Sequence, residues 1–498
     1  MDLSVVYSRA LAGVEAPLVR VETHLSNGLP AFNIVGLPET AVRESKDRVR
    51  SAMLNSHFDF PDRRITVNLA PADLPKEGGG FDLPIALGIL TASGQVSGAH
   101  LPRHEFLGEL ALDGSLRAVP GVIPAARQAH AGQRALVLAA ESAALAALVP
   151  GSAVLPAPDL LTLCAHLNGA HAIDPAQPEP TDGDHCYPDL SDVTGQQGAR
   201  RALEIAASGG HNLLLSGPPG TGKTLLASRL PGILPPPSAQ EALTALALRN
   251  LHGQNDCSTY LQRPFRSPHH SASPAALVGG GSRPRPGEIS LAHGGVLFLD
   301  EFPEFSRHCL EVLREPLESG QVTLSRARHK ITYPARFQLV AAMNPCPCGY
   351  LGDTERTCRC TPDQIQRYRA RLSGPLLDRI DLCVAVQRLP ARALLSPQCR
   401  GEDSDTVRRR VRRSRARQQR RQGCANAQLP PDLLERTCAL DEAANEYLIA
   451  AATRMHLSGR ALHRTLRVAR TIADLAGAAR LDTAHIGEAL AYRGADQI

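Results

Sequence analysis

The chain has 498 residues, enough for two or three domains with proper cores, and a formal net charge of +5 that does not by itself announce a nucleic-acid binder. No stretch approaches the roughly 18 uninterrupted apolar residues of a membrane span, and the opening MDLSVVYSRALAGVEAPLVRV lacks the apolar block of a signal peptide. Its twelve cysteines are mostly scattered singly, which excludes a secreted disulfide framework and leaves a cytoplasmic protein without a membrane partner as the expectation.

Residues 1–170 mix α and β signals. RITVNLA reads as a strand, FDLPIALGIL as a buried helix and ALVLAA as another strand. Residues 171–189, HAIDPAQPEPTDGDHCYPD, are rich in Pro, Asp and Gly without an apolar period and read as a linker.

An α/β region follows over 190–395. A helix ends at Gly209-Gly210, NLLL reads as a strand, and GPPGTGKT opens the next helix. This octet, Gly217, Pro218, Pro219, Gly220, Thr221, Gly222, Lys223 and Thr224, matches the phosphate loop G-x-x-x-x-G-K-[ST] in its strand-to-helix context. The glycines let backbone N–H groups close around phosphates at a helix N-terminus. Lys223 is expected to reach the β- and γ-phosphates of ATP, and Thr224 to place its hydroxyl on Mg²⁺.

The Pro/Gly-rich stretch RPFRSPHHSASPAALVGGGSRPRPGEISLAHGG reads as an extended insertion. Its His269 and His270 project differently and lack a carboxylate pattern for a metal, so packing or polar contacts are expected of them. GGVLFLDE is then a buried strand ending in Asp300 and Glu301. Asp300 is expected to hold the Mg²⁺ through water, and Glu301 to polarise the attacking water.

GQVTLSRARHKITYPARFQLV reads as strand, basic tip, strand. Arg326, Arg328 and Lys330 at that tip suit sequence-independent phosphate contacts with DNA; the rival reading is the ordinary surface charge of a hairpin end. FQLVAAMN is the next strand and ends on Asn344, a neutral amide expected to orient water against the γ-phosphate.

Directly beyond, NPCPCGYLGDTERTCRC sets Cys346, Cys348, Cys358 and Cys360 in two C-x-C pairs. Three readings stand: a closed structural Zn²⁺ site, reduced free thiols, or redox chemistry. A reducing compartment disfavours a disulfide, and redox motifs are more typically C-x-x-C. Structural zinc is the expectation, clipping the insertion between Asn344 and TPDQIQRYR.

Residues 396–498 read as helical. VRRRVRRSRARQQRRQ, 407–422, puts arginine on nearly every helical face, either along a DNA path or as a solvated bridge between core and lid. No aromatic residues interleave with it for base stacking. In HLSGRALHRTLRVARTIADL, Leu462, Leu466, Ala469 and Ala473 share one face.

In this order the motifs resemble those of AAA+ ATPases: Walker A, Walker B with an acidic pair, and a sensor asparagine. By that resemblance Arg379, in GPLLDRIDL, stands where the superfamily carries an arginine finger toward a neighbouring subunit's nucleotide, and Arg460 stands as a second sensor. A finger acting in trans implies a ring, most often a hexamer. The insertion and the hairpin resemble the helix-2 insert and pre-sensor hairpin of the clade of magnesium chelatase and the MCM helicases. Residues 66–130, through TVNLAPADLPKEGGGFDLPIALGIL and FLGELALDGSLRAVPGVIPAA, resemble the Lon protease domain, a variant of the ribosomal S5 domain 2 fold. Gly80 stands there in place of the nucleophilic serine and Pro124 in place of the lysine base. A dyad needs both partners, so an interaction module is expected, not a protease.

NIVGLPETAVRESKDRVRSA, RPFRSPHHSASPAALVGGG, REPLESGQVTLSRA, VAAMNPCPCGY and QIQRYRARLSGPLLDRIDL together resemble the bacterial, magnesium chelatase-like YifB/ComM family over nearly the whole chain. The resemblance implies an α/β protein: a Lon-like domain, an AAA+ P-loop NTPase core of the chelatase/MCM clade, and a C-terminal helical lid. It further implies a homohexameric DNA helicase, dependent on ATP and Mg²⁺, that promotes branch migration during natural transformation. Single-stranded, branched or heteroduplex DNA and recombination proteins are the partners it suggests. A chelatase-like motor remodelling a protein partner is the alternative.

Overall fold

The computed structural model describes residues 2–178, 187–254, 256–281, 284–326, 329–390 and 401–493. The expected linker therefore lies partly, and the expected boundary at 395/396 wholly, outside the described residues. The chain divides into two compact units. One is Met1–Gly183 with Ala239–Leu261 and Ala327–Tyr333; the other is Asp184–Ser238 with Gln262–Arg326 and Pro334–Ile498. Among the described residues no helix is long and apolar enough to cross a membrane.

In the first unit, β1 (Leu3–Arg9), β2 (Leu18–Ser26), β3 (Ala31–Val35) and β4 (Arg64–Ala70) form a sheet ordered β1-β2-β4-β3. RITVNLA is β4, and its alternation buries Ile65, Val67 and Leu69 on one face. Antiparallel pairing sets Ser26 opposite Arg64, whereas β3 runs parallel to β4. The helix α1 (Asp82–Ala92) packs on β1 and β2 and is buried nearly all round. Gly88 permits its close approach, because a Cβ there would lie 2.3 Å from Thr23 Oγ1.

A second sheet in this unit sets β5 (His104–Phe106), β6 (Ala135–Ala139) and β7 (Val154–Ala157) in parallel. The helix α2 (Val122–Ala131) is capped from far along the chain. Asn250 Oδ1, at the end of helix Ala239–Asn250, accepts from the N–H groups of Gly121 at 2.6 Å and Val122 at 3.2 Å. Gly80 is buried, with 3.0 Å between a built Cβ and Leu107 Cδ1, and Pro124 is buried inside α2.

The second unit is built on a five-stranded parallel sheet. After α3 (Gln197–Gly209) come β8 (Leu213–Ser216), the helix α4 (Lys223–Ile233), β9 (Phe265–Arg266), β10 (Val296–Leu299), β11 (Gln321–Arg326), β13 (Gln338–Met343) and β14 (Leu382–Ala385), while β12 (His329–Pro334) lies, but for its last residue, in a stretch of the first unit. The sheet order is β9-β10-β13-β8-β14. β8, β10 and β13 are buried along their whole length, as strands covered on both faces must be. The Pro/Gly-rich stretch was expected to be an extended insertion, yet it begins by adding the edge strand β9, with Phe265 stacked on Phe298 at 5.9 Å. Two strand residues are too few to carry a periodic signal.

From Ser404 the described chain is helical. α5 (Ser404–Gln422) contains the arginine run and buries Val407, Val411, Ser414 and Gln418 as one stripe, packing against α3 and α4. α6 (Gly459–Ala476) buries Val468, Ala469, Ile472 and Ala473 in the same core, with Leu462 and Leu466 partly buried beside them. This is a mixed α/β fold with parallel sheets.

Candidate functional site

Three neighbouring strands, β10, β13 and β8, deliver Asp300, Asn344 and the glycine loop to the same C-terminal edge of the sheet, where open α/β sheets bind ligands. The loop follows β8 with no residue to spare. A Cβ on Gly217 would come 2.2 Å from the Val386 carbonyl oxygen, and Gly220 and Gly222 have φ of 78° and 88°. Thr221 Oγ1 donates to the Pro218 carbonyl at 2.9 Å and holds the turn.

Lys223 begins α4 and folds back into the loop. Its Nζ donates to the carbonyls of Gly217 at 2.6 Å and Pro218 at 2.9 Å, and to Asn344 Oδ1 at 3.1 Å. These partners are neutral. Burial pushes the ammonium below its usual range, and the charge of Asp300 draws it partly back. A buried cation facing a ring of loop backbone fits a polyphosphate. Next to it, Thr224 Oγ1 donates to Asp300 Oδ2 at 2.6 Å. A hydroxyl and a carboxylate in contact form the oxygen donor set that Mg²⁺ takes beside phosphates.

Glu301 has φ of 52°, a strained setting for a non-glycine residue. The turn is held by its own N–H, which donates to Asp300 Oδ1 at 2.9 Å. Its side chain is half exposed, and Oε2 lies 2.9 Å from His270 Nδ1. The histidine pair was expected to make packing or polar contacts. One of the two reaches the acidic pair itself, a long-range meeting that no local pattern announces. His269 turns to Ser271 Oγ at 2.8 Å.

The two arginines sit differently. Arg379 is nearly buried, and its guanidinium bonds Glu318 and the Pro375 carbonyl of its own chain. Arg460 is exposed at the start of α6, without a hydrogen bond or ion pair among the described residues. One turn on, Arg464 lies 3.9 Å from Asp381. Asp381 is buried. Desolvation alone would raise its carboxyl, but the His211 ring at 3.3 Å, Arg464 and the Asn212 N–H outweigh it and hold the group below the usual range.

Of the expected DNA-contacting residues, Lys330 is exposed on β12, while Arg328 and the Arg326 side chain lie outside the described residues. The arginine run is divided in its duties. Arg410 bonds Glu204 at 2.5 Å and Glu402 at 2.6 Å, Arg415 bonds the Ala207 carbonyl at 2.8 Å, and Arg421 grips Asp474 with two bonds of 2.7 and 2.8 Å. Arg409, Arg412, Arg413 and Arg420 are exposed.

The four cysteines converge, with all Sγ atoms within 4.8 Å of one another. Burial raises the Cys348 thiol, but N–H groups of Tyr350 and Arg359 and the adjacent thiols bring it down to about 6. Against the N–H of Cys348, neighbouring thiols push Cys360 up to about 12. The cluster could hold a metal.

The family described as "Magnesium chelatase, subunit ChlI" matches residues 189–394, "Subunit ChlI of Mg-chelatase" matches 21–142, and "Magnesium chelatase, subunit ChlI C-terminal" matches 401–493. YifB of Salmonella typhimurium is 51% identical over 100% of this chain and 98% of its own length. Competence protein ComM of Haemophilus influenzae is 52% identical over 99% of this chain and 98% of its own. The magnesium-chelatase 38 kDa subunit of Cereibacter sphaeroides is 27% identical over 31% of this chain and 52% of its own. The mixed α/β architecture with parallel sheets fits an AAA+ chelatase-like fold.

Proposed function

The chain belongs to the magnesium chelatase-like YifB/ComM family, and on that premise we propose that it is an ATP-dependent, homohexameric DNA motor promoting branch migration of heteroduplex DNA. One observation carries the ATPase reading: Lys223 touches both the phosphate loop and Asn344 while Thr224 touches Asp300, so binding and sensing groups meet at one sheet edge. The DNA reading draws support from the competence name of a relative and from the exposed Lys330, which follows Arg326 and Arg328 in the basic sequence SRARHK.

In this reading Gly217–Thr224 cradle the triphosphate, and Lys223 exchanges its carbonyl partners for the β- and γ-phosphates. Thr224 by its hydroxyl and Asp300 through water would hold Mg²⁺, which when bound supplies positive charge to the transferring phosphoryl group. Glu301 leaves His270 to polarise the attacking water, Asn344 orients it, and Arg379 leaves Glu318 to act across a subunit boundary. Arg460 senses nucleotide from the lid of residues 396–498. The four thiols hold structural Zn²⁺, and the Lon-like module of residues 1–170 serves in interaction. The protein acts in the cytoplasm, with recombination proteins as partners.

A second reading, a motor remodelling a protein partner, draws on the distant likeness to the chelatase 38 kDa subunit. Strand displacement on a labelled three- or four-way DNA junction separates the two, with Glu301→Gln as the inactive control. Junction resolution by the native chain alone supports the DNA motor. ATP hydrolysis without displacement favours the protein-remodelling reading.

A further inference from the structure

Cys346, Cys348, Cys358 and Cys360 approach from two tight turns. Sγ–Sγ separations are 3.4 Å between Cys346 and Cys348, and 3.6 Å from each of these to Cys358. A disulfide closes at about 2.05 Å, so these sulfurs are not bonded. Thiolates placed tetrahedrally at about 2.3 Å from a zinc ion stand about 3.8 Å apart, near the spacing seen. The backbone supports the same state: the N–H of Cys348 points to Cys360 Sγ, and that of Cys360 to Cys358 Sγ, each at 3.4 Å. Four protein ligands leave no open position, so an ion here is structural.

The first turn leans on the nucleotide loop. Gly349 N donates to the Cys346 carbonyl at 3.0 Å, closing the turn at a φ of 85°. A Cβ on Gly349 would lie 2.8 Å from Pro219 Cδ and 3.8 Å from Asn344 Cγ. One backbone turn thus passes so close to the phosphate loop and to the amide that bonds Lys223 that it leaves no room for a side chain.

We infer that the four thiolates hold one Zn²⁺ ion, and that this ion braces the phosphate loop through Gly349 and Pro219, so that nucleotide affinity depends on the metal. The inference rests on reading residues 217–224 as the nucleotide site. Binding exchanges thiol protons for the ion, with the protons released to solvent.

The test uses the full chain. Elemental analysis gives its zinc content, and Co²⁺ exchange gives the visible spectrum of a tetrahedral tetrathiolate. Affinity for a fluorescent ADP analogue is then measured before chelation, after it, and after Zn²⁺ is restored, with circular dichroism monitoring the fold. Gly349→Ala keeps all four thiols and crowds Pro219, and because its φ of 85° also strains the turn, retained zinc content is measured alongside affinity. The expected result is one zinc per chain, an affinity at least about 5-fold weaker without it and recovered on readdition, and a similar loss in Gly349→Ala with zinc still bound. A chain that takes up neither Zn²⁺ nor Co²⁺ overturns the site. A zinc-loaded chain whose affinity is indifferent to chelation and to Gly349→Ala overturns the coupling. Failure of the zinc-loaded chain to bind nucleotide at all overturns the nucleotide reading itself, and the coupling with it.

Discussion

His270 Nδ1 stands 2.9 Å from Glu301 Oε2, tying the second of the two acids that follow β10 to the Pro/Gly-rich segment. A carboxylate held there is not free to turn toward water. Both groups are partly exposed, so the contact is worth about 0.5–1 kcal/mol. His270→Ala is expected to raise DNA-free ATP hydrolysis about 2- to 5-fold. Glu301→Gln lowers it on the order of 100-fold or more. Steady-state phosphate release checks both; a fall in rate for His270→Ala would instead make the histidine a necessary partner of the acid.

Arg379 is bonded to Glu318, which sets a choice that mutation resolves. If Arg379 acts on a neighbour's nucleotide, Arg379→Ala lowers hydrolysis on the order of 1,000-fold with nucleotide affinity little changed. Glu318→Ala then retains or gains activity. Equal losses in the two variants would mark the pair as a structural tie only.

Asp381 offers a pH signature. Burial raises its carboxyl, yet His211 and Arg464 hold it below the ordinary value, so the folded state binds its proton less readily than the unfolded chain. Its contribution is therefore present above about pH 3.9 and lost as pH falls through the lower folded value. Asp381→Asn is expected to cost about 3 kcal/mol at neutral pH. Denaturant melts at a series of pH values should show that gap narrowing in acid.

Neutralising Arg326, Arg328 and Lys330 together should abolish most DNA stimulation of the ATPase. Three fewer phosphate contacts would flatten the dependence of log affinity on log salt by about 2 to 3. A salt titration of single-stranded DNA binding measures the slope. Unchanged stimulation removes the hairpin from the DNA path.

Much of the architecture was legible because the signals were local. RITVNLA reads as a strand from its alternation, and it is β4 residue for residue. GPPGTGKT announces its own turn, since Gly220 and Gly222 adopt the conformation that glycine permits. What stayed hidden depends on distant partners. Nothing around His270 points to Glu301, and nothing in GPLLDRIDL shows that Glu318 occupies Arg379. Likewise Asn250 caps a helix more than a hundred residues earlier in the chain. The arginine run showed its charge but not its burial, because Val407 and Val411 give a stripe only once the helix has a neighbour.

That run has a mechanical reading. Near its beginning α5 is fastened by Arg408 to the Gly232 carbonyl of α4 at 2.6 Å and by Arg410 to Glu204 of α3. At its far end Arg421 is fastened to Asp474 of α6. A rod pinned at both ends does not absorb rotation; it passes torque along. Tilting of α6 would therefore reach the last turn of the helix that Lys223 begins without any loop having to rearrange between them.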